Sequence, residues 1–345
     1  MKSKNDYKIK ILNFLKGYNV EWIDSEIYIL SKGNRLYVSK DLKLPFKQIG
    51  KFPLNFIISM LSKSRVFQRF LRSMYYNVIR LDSGEIFVTF QKKVGLFRNG
   101  KFFSVKGLDK DARFLRGSCA VDEKGGIYFG EYNSNPKRGV VNIYYLPQNS
   151  TSAEVVFQFP ENSIRHVHGI YFDKYDNSIW CVCGDLEKEC RILKTKNCFK
   201  NFEVVGEGDE TWRTVSLIFT KDSIYYGMDA EFRQNYIYQI NRKDKKRTEL
   251  IKVDGPIYYS HKVGEKIFFE VTAENCPSSN NLASLWSIDS NKKIEKIISY
   301  PKDILHQYFM PGTIHFPLGP GRKNELFFSC VGLKNMDNKV VKITD

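Results

Sequence analysis

From about residue 74 onward the chain repeats one arrangement of apolar and polar positions. An apolar run ends in a polar turn, an aromatic-rich run follows, and a third run ends on a charge. The clearest turns are Asp82-Ser83-Gly84-Glu85, Asp122 to Gly126, Asp173 to Asn177, Lys221-Asp222 and Gly264-Glu265-Lys266. Each precedes a β-branched and aromatic run: Ile86-Phe87-Val88, Ile127-Tyr128-Phe129, Ile179-Trp180-Cys181-Val182, Ile224-Tyr225-Tyr226 and Ile267-Phe268-Phe269. A late copy is Leu326-Phe327-Phe328, after Arg322-Lys323-Asn324. Such runs between turn signals predict strands. They recur every 40 to 59 residues or so, the length of one four-stranded propeller blade with insertions.

Six copies follow residue 74. A seventh precedes it, in Ile27 to Leu30, Arg35 to Val38 and Phe46 to Ile49. The expectation is one all-β domain over residues 1–345, a seven-bladed β-propeller, with six blades as the alternative. Tyr7 to Leu12 alternates polar and apolar positions. It is expected to pair with Val340 to Ile343 and close the ring, which removes exposed sheet edges. Residues 53–73 break the pattern. They mix Leu54, Ile57, Ile58, Leu61, Phe67 and Phe70 with Lys63, Arg65, Arg69 and Arg72, which predicts one inserted amphipathic helix. It would pack on the propeller flank or form a peripheral membrane or protein contact.

Composition narrows the function classes. There are 54 Lys plus Arg against 38 Asp plus Glu, a net charge of +16. That excess attracts anions in general, and no basic block with interleaved aromatics points to specific nucleic-acid binding. No apolar run reaches the roughly 18 residues of a membrane-crossing helix. Met1 to Asp6 lead into no apolar core with a cleavage site, so a cytoplasmic location is expected. The seven Cys are odd in number and without a paired CxxC motif, which reads as reduced, buried thiols.

Four turns resemble the sialidase-like, Asp-box propellers: Ser39-Lys40-Asp41-Leu42-Lys43, Ser287-Ile288-Asp289-Ser290-Asn291, Tyr145 to Ser150 and Lys194 to Asn197. All lack the motif's Gly and Trp, and the sialidase Phe/Tyr-Arg-Ile-Pro motif is absent. The resemblance implies a propeller whose members include glycosidases, polysaccharide lyases and non-catalytic binding proteins.

A propeller's site lies at one mouth of its central channel, so polar residues near the first strand of each repeat are the candidates. They are Arg80, Arg116, Arg165-His166-Val167-His168, Arg213, Tyr258 to His261 and His315. At period two, His166 and His168 face the same way. Acids recur after the second strands: Glu131, Asp185, Asp229, Glu231 and Glu274. The main expectation is a carbohydrate-active propeller acting on an acidic glycan. A lyase would use His168, paired with His166, as base and Tyr259 as the assisting group, while a hydrolase would use Glu131 and Asp229. Arg116, Arg165, Arg213, Trp212, Tyr132, His261 and His315 would bind the substrate. The alternative is a non-catalytic propeller that binds a glycan or a protein. A third reading, a calcium lactonase on Asn133, Asp185, Asp229 and Glu274, fits the blade count less well. No cofactor is expected, a divalent metal at His166 and His168 being the less favoured option.

Overall fold

A computed structural model describes residues 7–344. The reading of Met1 to Asp6 lies outside the described residues. Seven four-stranded antiparallel sheets follow one another as blades, six of them in sequence order from first to fourth strand. Blade 2 begins at Tyr75–Arg80, blade 3 at Cys119–Val121, blade 4 at Val167–Asp173, blade 5 at Leu217–Phe219, blade 6 at Ile257–Val263 and blade 7 at Thr313–His315. Blade 1 begins at Asn19–Ile23, and its Tyr28–Lys32, Arg35–Ser39 and Lys47–Lys51 match the runs read at the front of the sequence. The seven-bladed reading holds, and the six-bladed alternative does not.

Ring closure occurs as the alternating pattern implied. Lys8–Ile11 adds antiparallel to Val340–Thr344 of blade 7, with Ile9 opposite Ile343. The last blade is therefore built from both ends of the described chain.

The aromatic second strands have a packing reason. Each is buried on both faces, so adjacent residues serve different neighbours. Tyr226 packs toward blade 4 with Trp180 and Val182, while Tyr225 packs toward blade 6 with Phe269 and Trp286. Phe268 in turn joins Ile314 and Phe328 of blade 7. Seven such buried clusters fill the seven blade interfaces. The fourth strands are the most exposed.

The inserted helix is two short helices, α1 (Phe56–Leu61) and α2 (Arg65–Leu71). Asn55 caps α1 by accepting from the Ile58 N–H at 2.8 Å. Ser64 has extended backbone angles, which divides the predicted single helix. The expected orientation on the flank is also reversed. Arg69 is buried and paired with Asp303, and Arg65 is paired with Asp337 at 2.6 Å. The apolar side faces outward instead: Phe56 is 82% exposed, and Ile57, Met60, Val66 and Phe70 are exposed too. All seven Cys are free thiols. Cys181, Cys183, Cys190 and Cys330 are buried as expected, but Cys198 is exposed. No helix among the described residues is long and apolar enough to cross a membrane.

Candidate functional site

One cavity of about 260 Å³ opens at the channel mouth where the first strands begin. Its wall includes Arg116, Tyr132, His168, Arg213, Asp229, Tyr259 and His315. These seven sequence candidates come from five blades or the loops before them, so the blade repeat alone brings them together. Tyr258 and Glu274 also line the cavity.

Most of the charges here are already partnered. Arg116 donates from Nη1 to Glu21 Oε2 at 2.8 Å and from Nη2 to the Phe316 carbonyl at 3.0 Å. Both Arg116 and Glu21 are buried. Arg213 donates from Nε to Asp229 at 3.2 Å and stands 3.5 Å from Asp185. Burial pushes the Asp229 carboxyl up to about 7, against the pull of Arg213. Arg165 donates from Nη1 to Asp185 Oδ2 at 3.0 Å. Tyr258 donates to Glu274. Burial raises both Tyr258 and Tyr259, so neither phenol ionises readily.

The two histidines meet as period two required. His166 Nε2 and His168 Nε2 are 3.1 Å apart. Asp185, following the second strand of blade 4, places Oδ1 3.1 Å from the first and 3.0 Å from the second. Burial lowers the His168 pKa, which favours a neutral ring. Tyr132 lies with its ring centroid 4.0 Å from that of His166.

Other expected residues lie elsewhere. Glu131 turns into its own blade, accepting from Tyr144 at 2.5 Å and from the Asn142 N–H at 3.0 Å, and is absent from the cavity wall. It therefore faces no substrate space shared with Asp229. Trp212 sits under Arg247, whose guanidinium is 3.9 Å above its ring, and covers Gly206. A Cβ at Gly206 would come within 2.2 Å of that indole, so the glycine is there to admit it. His261 stacks on Phe316 at 5.7 Å, away from this cavity. Arg80 pairs with Asp24 and Glu26 around a different cavity.

The rim holds residues that the blade pattern did not single out: Arg72 and Met74 after α2, and Gln307 and Met310 before blade 7. Both segments lie outside the repeat, so the repeat gave no sign of them. They also join the cavity to the outward apolar side of the helices. Phe70 meets Phe309 with ring centroids 4.3 Å apart, and Tyr308 and Ile304 beside them are 75% and 99% exposed.

No family model and no curated protein matches the chain. Among solved structures it is similar to YCF48 bound to D1 peptide, with a TM-score of 0.59 and 10% identity over 100% of this chain and 98% of that one. It is also similar to a chain of the mitotic checkpoint complex (0.55, 10%, covering 99% and 94%). A prolyl endopeptidase matches at 0.57 and 10% over 92% of this chain, which spans only 46% of that one. The common element is the propeller. At such identities the likeness shows the fold alone, and it does not reach the sialidase-like class that the turns resemble.

Proposed function

We propose that this chain is a non-catalytic binding propeller that seats a segment of a protein partner across the channel mouth. The carrying observation is the apolar shelf of α1, α2 and residues 304–309, held outward by the inward ion pairs of Arg65 and Arg69 and continuous with the cavity rim. Exposed apolar surface of this kind marks interaction sites. An extended segment would lay apolar side chains on Phe56, Met60, Val66 and Phe70 and place one polar group in the cavity. The cavity holds a group of about side-chain size rather than a long glycan. The partnered state of Arg116, Arg165 and Arg213 supports the same reading, since none of them carries an uncompensated charge for a polyanion. YCF48, with the same fold, is known with a bound peptide.

A phage library of random peptides, panned on the full chain, tests this. Enriched peptides should bind about tenfold more weakly to Phe70→Asp and to Arg213→Ala. Equal binding to both variants, or no enrichment over an unrelated propeller, would overturn it. Anionic vesicles serve as the control for a membrane partner.

A second reading keeps the acidic glycan. It is favoured by the convergence of Arg116, His168, Arg213, Tyr132 and Tyr259 on one cavity. Turnover of uronate oligosaccharides, followed by the absorbance of unsaturated products, would support that reading over the first.

A further inference from the structure

The cluster of His166, His168 and Asp185 has a hydrogen-bond balance that neutral rings leave open. His166 Nδ1 is 3.1 Å from the Asn133 carbonyl, and His168 Nδ1 is 3.0 Å from the Thr214 carbonyl. A carbonyl oxygen only accepts, so each ring carries its proton on Nδ1. In the neutral rings both Nε2 atoms are then lone pairs. They point at each other and at Asp185 Oδ1, a third acceptor, across 3.0 to 3.1 Å. Three acceptors facing one another at that distance repel unless a proton on one Nε2 or a metal ion sits among them, and their geometry is the one a metal ion takes. All three side chains are buried, so bulk water does not relieve the repulsion.

The spacing suits a metal ion. Ligands about 2.1 Å from an ion stand about 3.0 Å apart on an octahedral face and about 3.4 Å apart in a tetrahedron. These three donor atoms lie within 4.8 Å of one another, with each pair at 3.0 to 3.1 Å. The outer contacts are those that metal ligands make. The Nδ1–H of each histidine is fixed by a backbone carbonyl, and Asp185 Oδ2 is held by Arg165 at 3.0 Å, which leaves Oδ1 turned to the histidines. The nearby cations are engaged elsewhere: Arg165 bonds Oδ2 at 3.0 Å, and Arg213, 3.5 Å from Oδ1, is also bonded to Asp229.

We infer that His166 Nε2, His168 Nε2 and Asp185 Oδ1 form a binding site for one divalent transition-metal ion of the zinc, manganese or iron(II) class. Two imidazoles and one carboxylate suit these ions over calcium or magnesium, which take oxygen ligands. Three protein ligands leave coordination positions open. His168 also lines the central cavity, so an open position would face the ligand space and receive an anionic oxygen, such as a carboxylate. The ion site itself does not depend on what occupies the cavity.

The test uses the full chain, stripped with chelator, incubated with Zn²⁺, Mn²⁺ or Co²⁺ and desalted. Elemental analysis should find about one ion per chain for at least one metal. The cobalt form should show visible d–d absorption. His168→Ala and the isosteric Asp185→Asn should each reduce retention at least tenfold, while His261→Ala should retain the ion. Far-UV circular dichroism identifies any variant that fails to fold, and the wild-type stoichiometry and cobalt spectrum stand without the variants. Wild-type chain that keeps no ion above a bovine serum albumin control treated alike, or folded variants that keep as much as wild type, would overturn the site and leave the cluster as a pair of histidines sharing protons with Asp185. Either outcome leaves the peptide-binding experiment untouched.

Discussion

The two sides of the channel mouth are built differently. Toward blades 4 and 5, a dense set of charges is concentrated: Arg165, His166, His168, Asp185, Arg213, Glu210 and Asp229 are joined by contacts of 3.0 to 3.8 Å. Toward blades 6 and 7 the wall is sparse, with Tyr259 edge-on to His315 at 4.9 Å and Met310, Pro311 and Thr313 around them. The first side is one interlocked unit whose members fix each other's positions. The second is held by smaller local sets, Thr313 with Glu270 and Tyr258 with Glu274. A ligand can therefore be accommodated by movement on one side while the other stays rigid, and a substitution on one side will propagate where on the other it will not.

The largest effect should come from removing the hub of the dense side. Asp185→Ala leaves two arginines and two histidines facing each other, and breaking such a buried set costs about 3–5 kcal/mol. Urea unfolding followed by fluorescence should show it. His315→Ala on the sparse side should lower the same midpoint much less, and equal losses would break the comparison.

Next in size is the anchor of the helices. Arg69→Ala removes the buried guanidinium from Asp303, which keeps Lys302 at 3.7 Å and the Leu305 N–H, and should lower stability by about 1–3 kcal/mol. The more selective readout is limited proteolysis, with cleavage within residues 53–73 before any blade is cut. Uniform cleavage would mean that the helices are held by the blades rather than by their arginines.

A smaller effect depends on pH. Glu270, in the second strand of blade 6, accepts from the Thr272 and Thr313 hydroxyls, and burial pushes its carboxyl up to about 8. Its folded pKa lies above the unfolded value, so the folded state holds the proton longer. Stability should therefore decline as pH rises from about 4.3 through 8. Glu270→Gln should flatten that decline in a melting-temperature series, and an unchanged slope would remove Glu270 as its source. Asp229, raised to about 7, contributes in the same sense on the dense side.

The smallest effect is Tyr258→Phe. It removes one hydrogen bond to Glu274 and should cost about 1 kcal/mol. A loss several times larger would place Tyr258 within the interlocked set rather than at its border.

The sequence made the blades legible because each interface needs apolar side chains on two faces of the second strand. Tyr225-Tyr226 and Phe268-Phe269 could not be arranged otherwise. The convergence of Arg116, His168, Arg213, Tyr259 and His315 was legible for the same reason, since repeats place equivalent residues around one axis. The role of Asp185 as the hub was not, because the acids after the second strands differ by one place: Glu131 directly follows Gly130 and turns into its own blade, while Asp185 and Asp229 stand two residues past their strands and turn to Arg213. The orientation of α1 and α2 was hidden too. An amphipathic pattern states that two sides differ, while Asp303 and Asp337, 234 and 272 residues from their arginines, decide which side faces in.

The shared seventh blade has a consequence for synthesis. Lys8–Ile11 leaves the ribosome early and finds its partner strand only when Val340–Thr344 has emerged. Until then the growing chain is an open arc with two unpaired edges, one at each end. Its assembly therefore finishes with a single clasp of first and last strands. A defect in either would leave two sheet edges unpaired and favour aggregation over closure.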